Sequence, residues 1–501
     1  MLTSYINDED ICYFLTMYKL LSINASDFSE LSNHLSLPFD PVNVGKVLSS
    51  AASPDVASVL IEYPYVDKDY RSTYYNFYSK KGRFYGRQCV RLHFFTQGID
   101  LAENFKLQPS DDTVLSEHYL GFMVLRPTWS WTIGRTAISP KFLKSFSGHV
   151  MLAQHKVHLL GKRINIAGFP WMQQHTDIAV CAHVACWSIL RYYSERFSGH
   201  REYLIHDITQ MASQHDPGGL LPSRGLNVGQ ATRILAEGGV YPDIYNKTNL
   251  GESFLRYLYA YIESGFPVFA AMNGRRHAIT IIGHGPVNAP APKPGANAGD
   301  VQYSWDSICT LVAVDDNWMP YRGLPDKPPN EYGVGAIDMF VVPLPDKIYL
   351  PAESVERHAL SMLKTPPFGL DFSFVTQPVV RYLLTTSSTM QKWALENEDQ
   401  FPPTLLAALM DLPLPRFIWM VEIGNLTTWG KGRCNLRFVF DATASAQEKM
   451  VFVLLHDASL AVVHDRSSGK QTVSKIPLVQ PGCTTNRSID MPLFDSNLHS
   501  F

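Results

Sequence analysis

The stretch Gln173-Gln174 stands ahead of Cys181, His277 follows well downstream, and Asp315-Asp316-Asn317 comes after that. A thiol becomes a strong nucleophile only as the thiolate, which a helix N-terminus and a neighbouring imidazolium both favour. His277 would supply that imidazolium and later protonate a leaving group. Asp316, Asp315 or Asn317 would orient the ring. The side-chain amide of Gln174 or Gln173, with the backbone N–H of Cys181, would hold a developing oxyanion. Singly these residues say little, because a cysteine is ordinarily a small buried hydrophobe and a histidine on an apolar strand is ordinarily packed into a core. Together, in this order, they describe acyl chemistry at a thiol.

That chemistry needs Cys181 at the start of a helix and its partners on strands. Residues 182–197 contain helix formers and neither proline nor glycine, which puts Cys181 in the first turn. Cys186, followed by Trp187, is the competing nucleophile, but five residues into the same helix its sulfur faces the core. A metal set of His175, Cys181, His183 and Cys186 is set aside, since positions 181 and 183 lie on different helix faces. Residues 266–272, 277–282 and 311–314 read as buried strands, the last running into the acidic trio. His284 reads as a loop residue, and 285–299, rich in proline, alanine and asparagine, as a long loop. Residues 220–236 and Ser253–Glu263 read as amphipathic helices.

Upstream, the first fifty residues read as short helical pieces, with Tyr13, Phe14, Met17, Leu20 and Leu21 at helical spacing. Residues 59–95 are rich in tyrosine and read as β structure, and 119–127 as a strand ended by Pro127. Downstream of an exit at 341–346, residues 355–363 read as a helix and 416–463 as alternating strands. The polar last thirty residues read as partly ordered at best. With 501 residues the chain exceeds a single core. The reading divides it into an N-terminal α/β region at 1–160, a catalytic domain at 161–345 and a mixed, mainly β region at 346–501.

An apolar content of 46% with 18% charged residues excludes a disordered chain. A formal charge of −3 gives no reason to expect nucleic acid or an anionic membrane as partner. The seven cysteines are scattered with no CxxC pair, which argues against a disulfide framework or a zinc ribbon. The start carries Asp8, Glu9 and Asp10 rather than a signal peptide's basic and apolar regions, and no apolar run is long enough to span a bilayer. The expectation is a cytoplasmic, reducing setting with a free thiol, no cofactor and no metal.

The segment Cys181-Ala182-His183-Val184-Ala185, followed by Arg191-Tyr192-Tyr193, resembles the nucleophile helix of C39-like, papain-fold cysteine peptidases. Gly265-Phe266-Pro267-Val268 with His277-Ala278-Ile279 and Gly283 resembles that family's histidine strand pair, and Val314-Asp315-Asp316-Asn317 its acid strand. The resemblance covers roughly residues 165 to 325. No Walker A motif follows, so the transporter form of that family is excluded. The resemblance implies an α+β fold, with a nucleophile helix packed on an antiparallel sheet and flanking regions on either side. It also implies a cysteine peptidase or thiol hydrolase acting on a peptide or isopeptide bond of a protein substrate. Acyl transfer or transglutamination, deamidation, and a non-catalytic interaction module with protein partners are the alternatives.

Overall fold

A computed structural model describes residues 18–21, 47–48, 50–100, 113–128, 132–174, 179–215, 225–287, 299–445, 447–457, 459–465, 472–478 and 490–501. The protein is α+β, built on three main sheets whose strand pairs are antiparallel except for one parallel pair in the third. The first is a meander of β1 (Tyr18–Leu21), β2 (Ser58–Tyr65), β3 (Cys89–Phe95), β4 (Tyr119–Arg126) and β5 (Thr132–Ile138) in chain order. Two sequence expectations fail here. Leu20 and Leu21 lie in β1, paired with Leu60 and Val59, not in a helix; Tyr13, Phe14 and Met17 lie outside the described residues. The tyrosine-rich stretch after β2 is a helix, α1 (Lys68–Asn76), because Asp67 caps it by accepting from the Tyr70 backbone N–H at 3.0 Å. The N-terminal region is thus an antiparallel sheet with a helix rather than an α/β alternation.

The next strands are β6 (His149–Val150), β7 (Ala153–Leu159) and β8 (Lys162–Gly168). β7 and β8 alternate buried and exposed residues and pair as a hairpin whose turn is Leu160-Gly161, so a boundary drawn at 160/161 cuts a hairpin. Three helices follow: α2 (Cys181–Arg196), α3 (Ile205–His215) and α4 (Val228–Glu237).

The central sheet is then assembled from β9 (Tyr241–Asn246), β10 (Val268–Met272), β11 (His277–His284), β13 (Thr310–Val314), β14 (Arg322–Pro325) and β15 (Met339–Leu344). Their order is β14-β13-β11-β10-β15-β9, with β6 added beside the end of β11. Helix α5 (Ser253–Glu263) precedes β10. Gly283 explains how β11 serves two neighbours. It pairs with both Val312 and Val150, and a Cβ there would lie 2.0 Å from the His149 carbonyl oxygen. His284, expected in a loop, is the buried last residue of β11.

The third sheet runs β12 (Gln302–Tyr303), β16 (Val379–Thr386), β17 (Phe417–Gly424), β19 (Leu436–Asp441), β20 (Phe452–His456), β21 (Leu460–Asp465) and β22 (Thr472–Pro477). Helices α6 (Ala352–Lys364), α7 (Ser387–Glu396) and α8 (Pro403–Asp411) accompany it. β12 comes from the central stretch of chain yet pairs with β16, so the unit drawn at 161–345 shares its sheet with the one after it. The chain's end is better ordered than its polar composition suggests. β18 (Arg433–Cys434) pairs with β23 (Met491–Pro492), and β24 (His499–Ser500) with β6. One continuous apolar cluster runs through all three regions. Among the described residues no helix is long and apolar enough to cross a membrane.

Candidate active site

Helix α2 is buried along most of its length, from Ala182 to Tyr193, and packs on β11. Small residues at Ala182 and Ala185 let it approach the sheet, where the Thr280 hydroxyl donates to the Ala185 carbonyl at 3.3 Å. Cys181 is its first residue. Val180 before it is extended and offers no side-chain cap, so first-turn N–H groups keep their partial positive charge at the Cys181 end. Cys181 is half-buried and unbridged.

His277 begins β11, opposite Met272. The turn that aims it ends in Arg276, a non-glycine residue with φ of 49° in the left-handed region. Its ring Nε2 lies 3.1 Å from Asp315 Oδ2 and 3.9 Å from Asp316 Oδ1. The 3.1 Å approach is off the ring N–H axis, an ion contact rather than an aligned hydrogen bond. Burial disfavours the charged ring, but Asp315 and then the Cys181 sulfur outweigh it and push the His277 pKa up to about 10. The thiol and the carboxylate therefore act on the same ring.

The end of β13 explains how both acids reach His277. Thr280 pairs with Val314. β13 ends there, and the chain turns at once, the Trp318 N–H donating to the Asp315 carbonyl at 3.2 Å, so both acids stay at the His277 end of β11, Asp315 the nearer. Of the three candidates, Asp315 lies nearest the ring. Its Oδ2 accepts from the Tyr332 hydroxyl, and its Oδ1 from the Asn317 backbone N–H at 2.9 Å and side-chain amide at 3.3 Å. Burial raises the Asp315 pKa, but His277, Tyr332 and Asn317 outweigh it and hold the carboxyl below its ordinary range. Burial and the neighbouring Asp315 charge push Asp316 the other way, upward. Asn317 links the acids through a 3.2 Å bond to Asp316 Oδ1.

The two glutamines separate cleanly. Gln173 is tied to the first sheet, its Oε1 accepting from the Ile133 backbone N–H at 2.9 Å. Gln174 Nε2 donates to Asn317 Oδ1 at 3.0 Å, which brings Gln174 to the site and leaves its second amide proton for another acceptor. Cys186 is fully buried, and burial alone pushes its thiol pKa far up. His175 lies outside the described residues.

Comparison with protein-family models, with curated proteins and with solved structures gave no match.

Three residues had no signal in the sequence spacing. Trp171 Nε1 donates to the Asp315 carbonyl at 2.9 Å, fixing the backbone of the acid. Tyr332 reaches Asp315 from a turn after β14, flanked by the Arg322 and Arg275 guanidiniums at 5.1 and 5.7 Å from its ring. Asp69 on α1 sits beneath helix α2, accepting from Trp187 Nε1 at 3.2 Å and Arg191 Nη2 at 3.1 Å. The N-terminal sheet region therefore braces α2 from below. Among the described residues, His277, Asp315 and Asp316 also form a cluster of metal-ligand type, with donor atoms all within 4.8 Å of one another.

Proposed function

We propose that the protein is a thiol hydrolase that cleaves a peptide or isopeptide bond through an acyl-enzyme at Cys181, on a papain-like arrangement similar to C39-like cysteine peptidases. The observation that carries this reading is one imidazole, His277, acted on both by the Cys181 sulfur and by Asp315 at 3.1 Å. At the start of α2 the Val180 N–H is taken by His183 Nδ1 at 3.4 Å, while Val180 offers no side-chain acceptor to the N–H groups after it, which supports an anion at that position.

In the reaction the Cys181 thiolate attacks the substrate carbonyl carbon, forming a C–S bond and an oxyanion. The Cys181 backbone N–H and the spare Gln174 amide proton stabilise that oxyanion. His277 gives its proton to the departing amine as the C–N bond breaks, leaving a thioester. Water then attacks the thioester and passes a proton to His277; the carboxylic acid leaves and the thiolate–imidazolium pair returns. Asp315 holds the ring's orientation throughout. A free amine in place of water would give acyl transfer, and a glutamine substrate deamidation, with the same residues. Thiol chemistry of this kind belongs in a reducing, cytoplasmic setting, with a protein or peptide as substrate.

The test is intact-protein mass spectrometry after mixing with activated peptide esters, with and without an added amine. The expected result is a transient acyl adduct on Cys181 that decays to free acid in water. Full turnover by Cys181→Ala would sink the reading, and dominant amide product with amine present would move it to acyl transfer.

A further inference from the structure

We propose that His277, Asp315 and Asp316 form a binding site for a borderline divalent cation of the zinc class. Three side chains offer one imidazole nitrogen and two carboxylate oxygens within 4.8 Å of one another. That N/O/O set suits zinc, manganese or cobalt better than calcium, which prefers oxygen alone. Two ligands held about 2.0–2.1 Å from one metal at ordinary coordination angles sit roughly 3 Å apart. The His277–Asp315 separation of 3.1 Å already matches, and the 3.9 Å to Asp316 needs a shift of under an ångström or so.

The independent observation is Asp316. Its side chain is only 1% exposed; its Oδ1 lies 3.9 Å from the His277 nitrogen and accepts from the Asn317 amide, while its Oδ2 accepts no hydrogen bond. Two adjacent buried carboxylates, one with an oxygen left bare, need a positive partner, which a cation would supply in exchange for the proton on His277 Nε2. His277 Nε2 likewise has no aligned hydrogen bond. The surrounding donors are those a metal site uses to orient its ligands. Tyr332 donates to Asp315, and the Asn317 amide donates to both carboxylates. A proton shared between the two carboxylates is the competing occupant.

A cation on Nε2 would leave the other ring nitrogen protonated and unable to accept from Cys181, so binding would shut off the thiol chemistry. That consequence alone rests on the proposed function; the binding does not.

Equilibrium dialysis of the full chain against zinc, repeated for Cys181→Ala, Asp316→Asn and His277→Ala, tests the site. The expected result is one tight equivalent in the unaltered and Cys181→Ala proteins, weakened at least about 10-fold by either of the other two changes. Should Asp316→Asn fail to fold, judged by near-UV circular dichroism, His277→Ala decides. Cobalt in place of zinc should show visible ligand-field bands without a sulfur-to-cobalt charge-transfer band. Absence of saturable binding, unchanged affinity in the His277 or Asp316 variants, or loss of binding in Cys181→Ala would each overturn the proposal. Loss of thiol activity or labelling elsewhere leaves the dialysis result untouched, so the two readings fail separately.

Discussion

Asp315→Asn removes one charge and little volume, so it isolates what the acid does for His277. At 3.1 Å the Asp315–His277 attraction is about 5 kcal/mol with an effective dielectric constant near 20. Part of that is offset by the cost of burying both groups, and Asp316 remains 3.9 Å away. A net loss of about 2–3 kcal/mol is expected, equivalent to roughly a hundredfold lower proton affinity of the ring. The His277 pKa, pushed up to about 10 by Asp315 and Cys181, should move toward the ordinary histidine range. Histidine-selective NMR titration, with His277→Gln assigning the resonance, reads this directly. Turnover of an activated ester should fall by a similar factor, about 100-fold in kcat/KM. The reasoning is refuted if Asp315→Asn leaves the His277 titration in place while Asp316→Asn shifts it.

Three further outcomes follow from the same geometry. His277 has a pKa raised in the folded state, so its contribution to stability is fully present below pH 6.5 and is lost as pH rises toward 10. Urea unfolding of the unaltered protein should therefore weaken over that window by more than His277→Gln does, and parallel curves would contradict it. Cys186→Ala should leave turnover within about twofold and cost about 1–2 kcal/mol of stability, since it empties a small buried volume; loss of turnover in a folded Cys186→Ala would reopen the choice of nucleophile. Arg381→Met should cost about 3–5 kcal/mol in urea unfolding. Arg381 sits between Glu263 at 2.6 Å and Glu422 at 3.4 Å, both buried. A cost below about 1 kcal/mol would show those charges to be solvated.

Helix α2 was legible from 182–197 because helix formers run there without proline or glycine, and it starts at Cys181. The strands carrying His277 and the acids were legible as short apolar runs, found at His277–His284 and Thr310–Val314. The choice among Asp315, Asp316 and Asn317 was not, because it depends on where the chain turns after Val314 and on the partners Tyr332 and Gln174 brought from elsewhere in the chain. Tyr332 and Trp171 escaped because a hydroxyl and an indole read as packing until a long-range contact gives them a partner. α1 escaped because tyrosine favours strands, and the Asp67 cap overrode that preference.

The ordered C-terminus has a similar origin. Arg381, Glu422 and Arg437 lie on strands of the third sheet, where charges ordinarily face water. Register instead places Arg381 beside Glu422 and Glu422 beside Arg437. Residues 490–501 then close over them. Phe494 N–H donates to Glu422, Ser496 to Glu263 at 3.2 Å, and the Asn497 amide to the Glu263 carbonyl at 3.2 Å. His284 joins the same group at 2.8 Å from Glu263. A polar tail reads as unstructured until its buried partners are known.

The central claim is that Cys181 and His277 work as a pair. Its most direct measurement is the rate at which iodoacetamide labels each cysteine at neutral pH, resolved by peptide mass spectrometry in the unaltered and His277→Ala proteins. Cys181 is expected to label well ahead of the exposed Cys309, and His277→Ala to remove that lead. Labelling of Cys181 no faster than Cys309, or a lead that survives the loss of His277, would contradict it.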